Sequence, residues 1–205
     1  MSKQRDSLKK SMNTVLFDKV YLESNKIKSK LTFKNNEAIF NLDKKLMSEQ
    51  TNIGLKFLKS WSGGEKVYYT NSIIKKNKVK NCKTLGECFV IESNFKNWTL
   101  TQETKYINKY LCFKATRKLQ NDNIIIAWYT NQIPVNFGPK DNNGLPGLIL
   151  ELEEPTIVFK ATKIILNPNE EIIIQEPKKG IAISEKEYKK KVKKVSDGIF
   201  GKRRG

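Results

Sequence analysis

The sequence predicts a mainly β protein of the α+β class, built on an antiparallel sheet with a helix near its C-terminal end. Apolar and polar residues alternate through most of the chain, and a period of two is typical of half-buried strands. Short stretches of Asn, Asp, Gly and Pro separate these runs and favour turns. Strands do not alternate with helices, so a parallel α/β fold is not indicated.

Three parts are predicted along the chain. Residues 1–13 are charged and form a short helix or a disordered segment, residues 14–180 form the antiparallel β domain, and residues 181–205 form a basic helix and tail. Residues 42–61 are ambiguous between a loop and a short helix, and residues 73–87 form a lysine-rich hairpin or loop. The predicted strand segments are 14–23, 28–42 (with a turn at 34–37), 66–71, 88–93, 97–107, 109–119, 123–130, 147–153, 156–166 and 170–176.

Local turn and cap signals support this order of elements. Gln120–Asn123 has hairpin chemistry, because Asn and Asp tolerate left-handed backbone conformations. Ser184 and Glu187 form a capping box, which predicts a helix that begins there and extends to about Val195. Its apolar residues form one narrow stripe, and its other faces carry lysine.

The charge of the chain suggests an anionic partner but does not single out nucleic acid. Lys and Arg total 39 against 21 Asp and Glu, which gives a net charge of +18. Only four of the cations are arginine, whose planar fork reads guanine and clamps phosphate, whereas lysine is a hydrated point charge. We therefore favour a solvated lysine surface and expect no specific nucleic acid. The alternative is nucleic-acid binding by the 75–83 hairpin and the 186–204 tail.

Residue types exclude several classes of enzyme. The chain has no histidine, which removes Ser-His-Asp hydrolases, histidine general bases and histidine-containing metal sites. Cys112 has no histidine to activate it. The spacing of the acidic residues Glu92, Glu103, Asp141 and Glu151 does not predict a carboxylate pair. We predict a non-catalytic protein with no catalytic, cofactor-binding or metal site.

The three cysteines leave the redox state open. Cys82 and Cys88 are separated by five residues, wider than a C-x-x-C pair, and they can bridge in an oxidising compartment, as can either of them with Cys112. Free thiols are the alternative. The chain starts with positive charge but without the apolar stretch of a signal peptide, and it contains no transmembrane segment.

The stretch from Gly144 to Ile149, GLPGLI, could be a phosphate-binding loop or a tight turn that starts a strand. A phosphate loop needs further glycines or a terminal Gly-Lys-Ser/Thr, and it must open a helix. Here the following residues alternate as in a strand. We predict a type II turn over Leu145–Leu148, in which Pro146 fixes φ and Gly147 takes a positive φ.

These residues and those upstream of them resemble the GLPGLI family, uncharacterised proteins of Bacteroidetes. The order and spacing of the blocks fit over roughly residues 65–155. The matching positions include Trp98, Thr104, Lys105, Cys112, Trp128, Tyr129, Pro134, Gly138, Pro139, Gly144, Leu145, Pro146, Gly147 and Leu148.

The resemblance implies an exported, envelope-associated protein without established activity, although this chain starts without a signal peptide. By analogy with envelope carriers of lipids and lipoproteins, it implies a single strongly curved, half-barrel-like sheet whose concave face binds a lipid, a lipoprotein or another envelope protein. The residues expected on that face are Trp98, Trp128, Tyr129, Phe137, Leu145, Leu148 and Phe159. The alternative for most of them is a role in the core.

Overall fold

The computed structural model describes residues 27–43 and 53–201, and side chains as far as residue 198. Within these ranges the protein is mainly β with a C-terminal helix, as predicted, and it has a second helix at Ile53–Trp61, inside the stretch that the sequence leaves ambiguous between a loop and a helix. The prediction of one strongly curved half-barrel sheet is wrong, because the strands form two sheets and neither closes into a barrel. The short helix considered for residues 1–13 and the strand predicted at 14–23 lie outside the described residues.

In chain order the elements are β1 (Ser29–Lys34), β2 (Glu37–Leu42), α1 (Ile53–Trp61), β3 (Val67–Asn71), β4 (Lys76–Asn81), β5 (Phe89–Asn94), β6 (Thr99–Ile107), β7 (Tyr110–Lys118), β8 (Ile124–Thr130), β9 (Leu148–Glu153), β10 (Val158–Lys160), β11 (Ile181–Ser184) and α2 (Glu185–Gly201). The longest connections between these elements join β8 to β9 and β10 to β11.

The first sheet has the strand order β1-β2-β3-β4-β5-β11. Its pairs are antiparallel except β11 with β5, which is parallel, so the prediction of a wholly antiparallel sheet is wrong at this edge. The cause is the segment 161–180, predicted to hold strands but without regular structure here. It crosses the first sheet, with Lys34 Nζ donating to the Ile172 carbonyl at 3.2 Å and Lys78 paired with Glu176 at 2.6 Å. β11 therefore does not arrive through a hairpin.

One face of the first sheet is apolar from edge to edge, because its cross-strand partners form a continuous row. That row consists of Leu31, Phe40, Tyr68, Val79, Ile91 and Ile183. The second sheet covers β1 to β3, and α2 covers β5 and β11 through Tyr188 and Val192. This face therefore has two different covers, a sheet and a helix.

The second sheet has the order β10-β9-β8-β7-β6 and is antiparallel throughout. The predicted hairpin between β7 and β8 is present, with Asp122 at φ 62 in its turn. Ala115, Ala127 and Leu152 pair across the sheet and pack on Phe40 and Tyr68 of the first sheet. No helix in the described part of the chain is long and apolar enough to span a membrane.

Candidate functional site

The loop that joins β8 to β9, residues 131–147 and hereafter the motif loop, contains two three-residue turns centred on prolines. Val135 N donates to Ile133 O, and Gly147 N donates to Leu145 O, each at 2.8 Å, so Pro134 and Pro146 occupy the middle positions of γ-turns. Leu148 N also donates to Ile133 O, at 3.0 Å, and joins the two turns. Proline suits both positions because its φ is fixed and it has no N–H to satisfy.

The turn at the GLPGLI motif leads into a strand, as predicted, but its geometry differs from the prediction. β9 begins at Leu148. Positive φ is found at Gly144 (φ 95) and not at Gly147, so the type II turn is wrong. Gly147 is required for a different reason: a Cβ there would lie 2.1 Å from the Thr130 carbonyl oxygen. The backbone passes too close to the end of β8 for any side chain to fit.

Asn143 joins the motif loop to the first sheet from a fully buried position. Its Nδ2 donates to Thr70 Oγ1 and to Asn77 Oδ1, both at 3.0 Å, and its Oδ1 accepts from Gly138 N at 3.1 Å. The amide thus satisfies groups on β3, β4 and its own loop. Asn77 Nδ2 is buried without a partner among the described atoms.

Trp98 and Arg117 hold the outer side of the motif loop. Trp98 Nε1 donates to Asn143 O at 3.0 Å, and the Arg117 guanidinium lies 4.9 Å from the Trp98 ring centroid. Arg117 also donates to Asn142 Oδ1, and Asn142 Nδ2 donates to Pro139 O at 3.2 Å. Burial lowers the pKa of Arg117, while Asp141 opposes this shift.

A charged group beside the loop ties it to the end of β9. Lys140 Nζ lies 2.5 Å from Glu154 Oε2, and both side chains are largely buried. Burial, and then the charge of Lys140, lowers the pKa of Lys66. Burial raises the pKa of Tyr68 well above its ordinary value. Burial therefore keeps Tyr68 protonated beside the Lys140–Glu154 pair.

An open cleft of about 390 Å³ lies between the motif loop and two hairpin turns of the first sheet. The β1–β2 turn contributes Asn35 and Asn36, and the β3–β4 turn contributes Ser72. The remaining lining residues belong to the motif loop: Pro134, Val135, Asn136, Phe137, Leu145, Pro146 and Gly147. No residue of this lining has an ionisable side chain. The cleft therefore presents amide groups and apolar surface but no acid, base or nucleophilic thiol.

The residues expected on a concave face are not brought together on one open surface. Tyr129, Leu145 and Phe159 are buried between the two sheets. Phe137 and Leu148 are buried in a neighbouring cluster of the core. Trp98 is half-buried against the motif loop. Of the residues expected on the concave face, only Phe137 and Leu145 line the cleft, and both are almost fully buried beneath it.

Trp128 lies on the other face of the second sheet, with Lys105 and Cys112. Lys105 Nζ is 4.1 Å from the Trp128 ring centroid and 2.6 Å from Glu151 Oε1. Thr104 is exposed on β6 next to this group. Burial raises the pKa of the Cys112 thiol, which is therefore not an activated nucleophile. In this group, the Lys105 ammonium lies over the Trp128 ring and is neutralised by Glu151.

The remaining candidates from the sequence are the cysteines and the acidic residues. Cys82 and Cys88 are joined in a disulfide, and Cys112 is a free, buried thiol. The acidic residues Glu92, Glu103 and Glu151 are each paired with a lysine. Among the described residues, no three His, Cys, Asp or Glu side chains converge as ligands for a metal.

Sequence reasoning missed the residues that shape the loop from inside and those that complete the cleft. Asn142 and Asn143 are both about 1% exposed, although Asn is usually a surface residue. Their only signal is the pair Asn-Asn directly before the motif. Asn35, Asn36 and Ser72 come from turns that are distant in the chain, so no local pattern connects them to it.

Comparison with known proteins gives a family of unknown function and a related fold. A family model described as "Protein of unknown function (Porph_ging)" matches residues 116–151, from β7 into β9, and so includes the whole motif. This match is to a Bacteroidetes-type family of unknown function over that segment alone, and it is not specific to the GLPGLI family. No curated protein gives a significant match.

Two solved structures share the fold. One, titled "Structure of PNGF-II in P21 space group", has a TM-score of 0.52 and 20% sequence identity, and the match covers 81% of this chain and 29% of that chain. The other, titled "Structure of PNGF-II in C2 space group", has a TM-score of 0.51 and 19% identity over 81% of this chain and 32% of that chain. The chain thus spans less than a third of the length of the chains it resembles.

Proposed function

We propose that the protein is a non-catalytic, envelope-associated member of the GLPGLI family that binds an extended segment of a protein partner in the cleft at the motif loop. The observation that carries this proposal is the composition of the lining, which has no ionisable side chain. General acid–base and nucleophilic catalysis both need such a group within reach of the substrate. The hydroxyl of Ser72 is the one hydroxyl in the lining, and it is directed at Asn36 O at 3.2 Å.

The chemistry of the lining favours an uncharged, hydrogen-bonding ligand with apolar side chains. Asn35, Asn36 and Asn136 each offer an amide donor and an acceptor, which match the peptide group. Pro134, Val135 and Pro146 supply apolar contact. A volume of about 390 Å³ is at the low end of ligand sites and suits a few residues of an extended segment. A lipid is less favoured, because most of the aromatic residues expected to surround it are buried in the core.

Nucleic-acid binding by the two basic segments is not supported by their arrangement. Lys76, Lys78 and Lys80 project from the face of β4 opposite to Val79, while α2 packs on the Val79 side of the same sheet. Lys78 is also neutralised by Glu92 and Glu176. The hairpin and the helix therefore lie on opposite faces and do not form one continuous surface.

The binding proposal can be tested by panning a random peptide library against the purified protein. We expect enriched peptides without charged residues that lose most of their binding to a Val135→Asp variant, because the new carboxylate would be desolvated in the cleft. Val158→Asp is the matched control, since Val158 is an exposed valine on β10 outside the lining. Peptides that bind both variants equally, or a library without enrichment, would reject the cleft as the binding site.

The envelope assignment needs a separate experiment. We expect fractionation of a native host that expresses the complete gene to recover the protein with the envelope. Recovery in the cytosol would reject this part of the proposal and leave the cleft as a binding site in another compartment.

A further inference from the structure

Helix α2 is fixed to the first sheet by one narrow side. Tyr188 is buried with its ring 5.4 Å from that of Phe89, and its hydroxyl accepts from Asn81 Nδ2 at 2.9 Å. Val192 packs on the same cluster one turn later. The predicted capping box is present, with Glu187 N donating to Ser184 Oγ at 3.2 Å. The helix therefore has a defined orientation, and its opposite side faces solvent.

The solvent side of α2 carries more lysine than the general bias of the chain explains. Six of the 17 residues of the helix are lysine, about twice the share in the whole chain. All six are exposed, and among the described side chains only Lys189 forms an ion pair, with Glu185 at 2.6 Å. Lys186, Lys190 and Lys193 are spaced i, i+4 and i+7, and so lie along one line of the helix. Lys194 lies beside them.

The fold does not require this arrangement. Like charges at i and i+4 destabilise a helix, and Lys186 with Lys190 and Lys190 with Lys194 are such pairs. Glutamate or glutamine at alternate positions would keep the helix soluble and remove the repulsion. Apart from Asp197 at its C-terminal end, this line is exposed positive charge on a rigid element, held at some cost to stability, and it indicates an anionic partner.

We propose that the lysine face, defined as Lys186, Lys190, Lys193 and Lys194, docks the protein on an anionic phospholipid bilayer. Lysine ammonium groups act as hydrated point charges, which suits a diffuse negative surface, and the described part of α2 has no arginine to clamp single phosphates. The first sheet covers the apolar side of the helix at Tyr188 and Val192. The contact is therefore electrostatic, without insertion of the helix into the bilayer, and it is independent of the cleft.

The number of lysines removed should set the size of the loss in membrane binding. Each lysine close to an anionic membrane contributes about a fivefold gain in partitioning, so removal of three should lower binding by about a hundredfold. Because the interaction is between exposed charges, it should weaken steeply as salt is added.

The test is co-sedimentation of the full chain with phosphatidylcholine vesicles that contain about one-third phosphatidylglycerol, and with vesicles of phosphatidylcholine alone. The test variant is K186Q/K190Q/K193Q. The matched control is K28Q/K30Q/K163Q, which removes the same charge from exposed lysines outside α2, two of them at β1, the opposite edge of the first sheet. Circular dichroism confirms that both variants are folded.

We expect binding to the anionic vesicles only, a loss of about a hundredfold in the α2 variant, and at most a few-fold loss in the control. Equal losses in the two variants would overturn the proposal, because net charge alone would explain binding. Absence of binding to anionic vesicles would also overturn it. A parallel titration with duplex DNA that is lost in the α2 variant, while vesicle binding persists, would assign the face to nucleic acid instead.

Discussion

The motif loop and helix α2 differ in what determines their residues. In the motif loop, neighbouring atoms dictate the residues at key positions: Gly147 lies against the Thr130 carbonyl, and Asn143 bonds three separate groups. On the outer side of α2, no salt bridge within the described part of the chain fixes the residues of the lysine face. The loop therefore indicates its role through its shape and through the uncharged lining that it gives to the cleft, whereas the helix indicates its role through charge that packing does not explain.

The largest expected effect of a substitution is at the steric contact in the motif loop. Gly147→Ala should lower the free energy of unfolding by about 3–4 kcal/mol, because the added Cβ would require the end of β8 and the start of β9 to separate. Urea denaturation followed by fluorescence measures this change.

Gly198→Ala in α2 is the matched control, since a Cβ at Gly198 meets nothing within 4 Å. It should stabilise the protein by up to about 1 kcal/mol through helix propensity. Equal effects of the two substitutions would show that the loop is not sterically fixed, and the contrast between the regions would fail.

Removal of the buried amide at Asn143 should have the next largest effect. Asn143→Ala leaves Thr70, Asn77 and the Gly138 N–H without this partner, and we expect a loss of about 2–3 kcal/mol. Hydrogen exchange should show faster exchange in the motif loop. Asn121→Ala in the exposed β7–β8 turn should change stability little. A loss below about 0.5 kcal/mol at Asn143 would mean that the loop is held by its backbone alone.

The sequence predicts the elements whose signals are local. The alternation in β6, β7 and β8, the turn at Gln120–Asn123 and the cap at Ser184 all depend on residues within a few positions of each other. In the same way, a turn at Pro146 could be recognised from the motif itself.

The division into two sheets could not be predicted, because it depends on pairing between distant segments. Ile165 and Ile173 resemble strand residues by type, yet both are exposed in a segment that does not join a sheet edge. Similarly, Asn35 and Ser72 enter the cleft only because the first sheet aligns their turns beside Pro146. An alternating pattern identifies a strand's buried face but not the element that covers it.

Removal of the disulfide between Cys82 and Cys88 tests how α2 is held on the first sheet. This disulfide closes the β4–β5 connection, where Asn81 holds Tyr188 and the Cys88 carbonyl accepts from Ile181 N at 2.8 Å. Cys82→Ser with Cys88→Ser should cost about 2 kcal/mol, near the lower end for disulfides because the closed loop is short. Amides of β11 and α2 should exchange faster, while those of β8 and β9 should be unaffected. Reductant should reproduce this effect in the wild type and have none in the double variant. If hydrogen-exchange protection were lost equally in β11 and α2 and in β8 and β9, the two regions would not be held independently.

The smallest effect concerns the first turn of α2 and its response to acid. Burial alone would raise the pKa of Glu185, but hydrogen bonds from Lys189 and Lys96 outweigh it and lower the pKa. A carboxyl whose pKa falls on folding stabilises the protein above its unfolded pKa of 4.5, and this contribution is lost as the pH drops through the folded value. Because the pair is partly exposed, we expect Glu185 to contribute less than about 1 kcal/mol to the free energy of unfolding.

The stability advantage of the wild type over Glu185→Gln should therefore be constant at neutral pH and disappear below pH 4.5. An advantage that persists in acid would mean that Glu185 orders the helix by packing and not by charge.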